Sequence, residues 1–166
     1  MNRIFAWAIL IVLMYAVQSS LLTYIDYKGI SPNLMLLLTV STAFLHGYRQ
    51  GILMGLATGF LQDLTTGSYF GCSIFSYMVI GWFFGKFSDR IFKEQLLFPV
   101  LSAPLATFIH CSIMAVLLWM IGYKIDLMYG IKHILQPMIF YQVAFSWLVH
   151  KIAYDFDNFL KTRNFR

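Results

Sequence analysis

Two ionisable side chains stand in stretches that are otherwise apolar. Asp63 lies in GYRQGILMGLATGFLQDLTTGSYFG and His110 in LSAPLATFIHCSIMAVLL. A carboxylate and an imidazole could pass a proton between them or grip a polar ligand, and intramembrane charges read by default as functional sites. The rest of the sequence offers little to complete a reactive centre. It contains no Ser-His-Asp arrangement, HExxH, phosphate-binding loop or paired carboxylates, so no enzyme activity and no cofactor are expected. Cys72 and Cys111 fall in separate apolar runs without a CxxC spacing, which indicates neither a zinc site nor a disulfide framework. His46 and His133 sit near segment ends and His150 near the inner end of the last segment. Gln18 and Gln142 read as interhelical hydrogen-bond donors rather than substrate ligands.

The elements that must hold these groups follow from composition. The chain has 166 residues, 60% hydrophobic and 11% charged, with a mean hydropathy of +0.71. A soluble domain carries about a quarter charged residues, so the expected solvent is a bilayer. Six apolar segments span about 4–22, 32–46, 51–64, 71–87, 96–121 and 131–152, and predict an all-α polytopic bundle of six transmembrane helices in one domain. The first is too long for a signal-peptide core and lacks a small-residue cleavage site, so it reads as a retained helix. Segments two and three are short and joined only by GYRQ, which suggests a tight helical hairpin. Pro99 and Pro104 open segment five, where Pro104 can kink it.

With the N-terminus in the cytoplasm, the inner sections hold Arg3, Arg49, Lys86, Arg90, Lys93, Lys151, Lys161, Arg163 and Arg166, and the outer loops only Lys28, Lys124 and Lys132. This is a positive-inside bias, and six spans place both termini inside. The net charge of +5 therefore reports orientation and does not point to nucleic acid. Tyr24, Tyr27, Tyr69, Tyr123 and Tyr129 mark the outer interface. FFGKFSDRIFKE, with Lys86, Arg90 and Lys93 on one face, and the tail YDFDNFLKTRNFR both read as amphipathic helices on an anionic inner leaflet, where a cytoplasmic partner could also dock.

Asp63 belongs to a pattern. Glycine recurs at 47, 51, 55, 59, 67 and 71, and Asp63 takes the missing place in that register. Small residues let membrane helices approach closely, so Gly51, Gly55 and Gly59, and the shorter Gly81 and Gly85, predict packing faces, either within the chain or against a partner helix. A four-residue step turns the helix by about 40°, which keeps Asp63 near the packed face. In the last turn of its own helix it meets an unfavourable dipole and needs donors. Thr65, Thr66 and Ser68 could cap it. His110 is the alternative, since the two residues lie about 18 Å and 21 Å from the inner ends of their helices. A structural cap is preferred to a ligand or proton site.

The run from Pro32-Asn33 through GYRQGILMGLATGFLQDLTTGSYFG to the basic GKFSDR resembles the MreD family of rod-shape proteins. That family typically opens its second helix with Pro-Asp or Pro-Asn, then has a short Arg/Lys-Gly turn, a glycine-rich helix ending in Asp-Leu, and a Gly-x-x-x-Gly stretch. These map onto Pro32, Asn33, Arg49, Gly51, Gly55, Gly59, Asp63, Leu64, Gly67 and Gly71. Asn33 departs slightly from the commoner Asp. The motif covers residues 32–90, and the remainder agrees in length and hydropathy. The resemblance implies a non-enzymatic scaffold in the bacterial inner membrane that binds MreC. It would act with MreB filaments, with RodA and its penicillin-binding protein, and with membrane lipids. It also implies a fold similar to the substrate-binding subunits of energy-coupling-factor vitamin transporters. Such a subunit is the rival expectation, with an outer cavity near Asp63, Ser68, Tyr69 and His110. An Ala-xxx-Ala for transporter docking is missing from the first helix, where Ala6, Ala8 and Ala16 lack the four-residue spacing, and this weighs against transport.

Overall fold

The computed structural model describes residues 3–20, 32–66, 70–88, 97–123, 130 and 134–163. Among them are six helices: α1 (Arg3–Ser20), α2 (Leu34–His46), α3 (Tyr48–Thr66), α4 (Cys72–Gly85), α5 (Leu97–Met120) and α6 (Gln136–Arg163). No strand occurs among the described residues.

α2 is the axis of the bundle. Every residue from Leu34 to Leu45 is buried, and the other five helices all pack against it. A helix with no outward face must settle its own polar groups. Thr39 and Thr42 do so by donating their hydroxyls to the carbonyls of Met35 (2.9 Å) and Leu38 (2.8 Å) one turn earlier. Asn33 caps the start, its Oδ1 accepting from the Leu36 N–H at 3.0 Å. Gly47 ends the helix with φ 86°, a conformation that other residues adopt only under strain. Because Gly47 alone turns the chain, α3 begins at Tyr48. The expected GYRQ turn thus shrinks to one residue, and Tyr48, Arg49 and Gln50 become helix.

The expected six crossings are met only in part. Among the described residues one helix, over Val100–Met120, is long and apolar enough to cross a membrane. It contains Pro104, which removes one backbone donor without ending the helix. α2 and α4 have 13 and 14 residues, or about 20 Å each against a hydrocarbon core of about 30 Å.

The last helix departs most from expectation. It does not stop at 152 but runs 28 residues to Arg163, about 42 Å. The tail expected to lie as a separate surface helix is its continuation. Ala153, Asp157 and Leu160 stay buried at helical spacing, and Asp157 is held from two sides. His46 Nε2 at the end of α2 approaches its Oδ1 at 2.9 Å, and Lys161 its Oδ2 at 2.6 Å. Trp7 of α1 closes this corner edge-on to both His46 and Phe156. Arg90 and Lys93 lie outside the described residues, as do Ser68 and Tyr69.

Candidate functional site

The glycines are the first part of the site, because they decide how close α3 and α4 come. A Cβ built on Gly51, Gly55, Gly59, Gly81 or Gly85 would lie within 3 Å of backbone on the opposite helix: Gly81, Tyr77, Ile74, Gly51 and Tyr48 respectively. The two stripes face each other along nearly the whole contact. In the structure these glycine faces lie against each other inside the chain.

The contact brings the end of α3 beside the start of α4, and there Asp63 finds its donors. Its Oδ2 accepts from the backbone N–H of Gly71 (2.8 Å) and Ile74 (3.2 Å), and its Oδ1 from that of Ser73 (3.2 Å). Asp63 is only 4% exposed, so its compensation must come from protein. The carboxylate at the unfavourable end of its own helix is neutralised by the favourable end of the next one. Gly71, in the left-handed region with φ 100°, turns the chain so that its N–H points back at Asp63. The capping role expected for Asp63 is therefore the observed one, with three backbone N–H donors that were not among those expected; of the expected donors, Ser68 lies outside the described residues. Thr65 and Thr66 bond the carbonyls of their own helix instead.

His110 is not the partner of Asp63. Its Nδ1 lies 2.8 Å from the Ser76 hydroxyl, and its ring packs tilted on that of Tyr77. Equal depth along two helices fixes a level but not a direction. Tyr77, fully buried, carries the network across: its hydroxyl accepts from Asn33 Nδ2. The Asn33 carbonyl accepts from Gln142 Nε2 of α6 at 3.2 Å. Gln18 of α1 joins from the other side. Its Oε1 accepts the first two N–H groups of α2, from Leu34 (2.7 Å) and Met35 (3.2 Å), while its Nε2 donates to Gln62 of α3 at 3.0 Å. Slightly deeper, Thr39 and Thr58 share a hydroxyl–hydroxyl bond of 2.7 Å. Pro32, also buried, precedes the cap. All six helices contribute to this polar layer, and its members bond one another except at Gln142 Oε1, which has no hydrogen-bond partner among the described residues.

Sequence reasoning missed Ser76, Tyr77 and Gln62. Tyr77 has no local mark in CSIFSYMVIGW, although its position four residues before Gly81 puts it on the glycine face. Removing its hydroxyl takes away the acceptor of the Asn33 NH2. Tyr77→Phe should therefore lower stability by about 1 kcal/mol, the scale of a hydrogen bond inside a membrane protein, as read by thermal unfolding in detergent.

Of the expected inner-surface cations, Arg49 and Lys86 are exposed. Lys86 Nζ stands 4.0 Å over the ring of Trp82, and Arg49 5.8 Å over that of Tyr48. Lys151 stacks similarly on Trp147 at 5.3 Å.

A family model described as MreD, rod shape-determining protein MreD, matches residues 1–158. No curated protein and no solved structure matches the chain. The expected fold likeness to energy-coupling-factor transport subunits accordingly has no support.

Proposed function

Since the chain belongs to the MreD family of rod shape-determining membrane proteins, we propose that it is a non-catalytic, multi-pass scaffold of the rod complex. In this reading it binds MreC and helps organise peptidoglycan synthesis with MreB, RodA and its penicillin-binding protein. Both termini face the cytoplasm. The observation that carries the proposal is the use made of the intramembrane polar groups. Asp63, His110, Asn33, Gln18 and Gln62 all serve to hold helices to one another. A transport subunit would turn some of them toward a ligand. The inward placing of both glycine stripes leaves a partner helix to pack on outward ridges, such as Leu53, Leu56, Phe60 and Leu64 of α3. The aromatic–cation pairs Trp82–Lys86 and Trp147–Lys151 support an inner interface at the ends of α4 and the middle of α6, since tryptophan and lysine anchor at headgroup level.

The test is co-purification with MreC in mild detergent, followed by photo-crosslinking from single positions. Crosslinks are expected from outward positions such as Leu56 or Phe60 and not from Gly55 or Gly59. Failure to co-purify, together with tight binding of a vitamin, would replace the scaffold with the transport reading.

A further inference from the structure

α2 and α6 lie side by side and are tied at both ends. At one end Gln142 Nε2 donates to the Asn33 carbonyl, and at the other His46 meets Asp157. Between the ties, the inner face of α6 is polar. Gln142, Ser146, His150 and Asp157 fall within an arc of about 80° over about 22 Å of helix axis. Their exposures are 0%, 1%, 2% and 2%. A helix face pressed into a bilayer-embedded core has no need of four polar side chains.

Two of them are incomplete. Gln142 Oε1 and Ser146 Oγ have no hydrogen-bond partner among the described residues. The amide orientation of Gln142 is fixed, because its partner is a carbonyl and only the NH2 can donate to it. Its oxygen is therefore left without a partner, and Ser146 follows one helical turn later on the same side of α6. Leaving a buried acceptor unsatisfied is costly, and rotating Ser146 onto its own helix would not relieve Gln142. A molecule that donates to Oε1 and bonds Oγ would relieve both, and the smallest one available in any membrane is water.

We propose that the α2–α6 seam is a binding site for internal water, bonded to Gln142 Oε1 and Ser146 Oγ. The two end ties are direct protein contacts and fix the register of the helices. The water between them is an exchangeable middle, so the contact can adjust without exposing a bare polar group.

X-ray hydroxyl-radical footprinting of the full chain in nanodiscs, in 18O-labelled water, reads this directly, because radicals form where bound water stands. Val149, 1% exposed and three residues beyond Ser146, reports on the seam, and Met54 of α3, 8% exposed, on the apolar core. Methionine is the faster target for hydroxyl radical, so the comparison is weighted against the proposal. Val149 should take up 18O at least as fast as Met54. The double variant Gln142→Leu/Ser146→Ala removes both unpartnered groups and should cut labelling of Val149 about fivefold with Met54 unchanged. The Asn33 carbonyl keeps its bond from the Leu37 N–H in that variant. Should the double variant not fold, Ser146→Ala alone should cut the label about twofold, since the water loses one of two partners. No label on Val149 in the native chain, or label that ignores these substitutions, would overturn the site.

Discussion

Asp63→Ala is expected to cost about 3 kcal/mol of stability, because three backbone donors at the start of α4 lose a charged acceptor at once. Each such bond is worth more than this in isolation. The membrane reference state lowers the sum, since freed groups find other partners there. For a chain of this size the loss lowers the unfolding midpoint by roughly 10 °C, which tryptophan fluorescence in detergent can follow. Asp63→Asn should fall between the two. Its amide oxygen can still accept from one or two of the Gly71, Ser73 and Ile74 N–H groups, but its NH2 then faces donors. Shape rescue in rod-forming cells should track the amount of folded protein for both variants. If Asp63→Asn folds at native levels and still fails to support rod shape, the carboxylate has a role beyond capping.

Much of this site could be read from sequence, and the part that could not has a geometric cause. Gly51, Gly55 and Gly59 on one helix and Gly81 and Gly85 on another are visible as packing faces from spacing alone. That they face each other is tertiary information, and nothing in a single stripe names its partner. Asp63 is visible as a group in need of donors because it breaks the glycine register at a helix end. Its donors are backbone N–H groups of the next helix, and backbone has no sequence signature. His110 shares its level with Asp63, but a rise of 1.5 Å per residue gives height and not direction; its ring turns to Ser76 instead. From sequence the tail after Lys151 reads as a surface helix because its charges and phenylalanines alternate. Asp157 decides otherwise. Its pairing with His46, 111 residues away, holds the last turns of α6 against the end of α2, and a contact of that span cannot be seen in local pattern.

The coupling between these parts makes Gly55 a sensitive position in the bundle. A methyl group at Gly55 meets the carbonyl oxygen and carbon of Tyr77 and the nitrogen of Met78, all of them backbone. No side-chain rotation relieves such a clash, so α3 and α4 must part. Overpacking of this kind costs about 1–3 kcal/mol. Here the residue displaced is Tyr77, whose hydroxyl holds Asn33 and through it the start of α2. Gly55→Ala is therefore expected at the upper end of that range, and Gly55→Leu should prevent accumulation of folded protein. Gly130→Ala is the control, since no described residue lies within 4 Å of a Cβ there, and it should leave stability unchanged. A double-mutant cycle separates a local clash from a propagated one. If the damage runs through Tyr77, Gly55→Ala already breaks its bond to Asn33, and adding Tyr77→Phe should cost less than in the native background. Full additivity would mean that the glycine seat and the polar layer are independent, and that the α3–α4 contact does not set the geometry of the site.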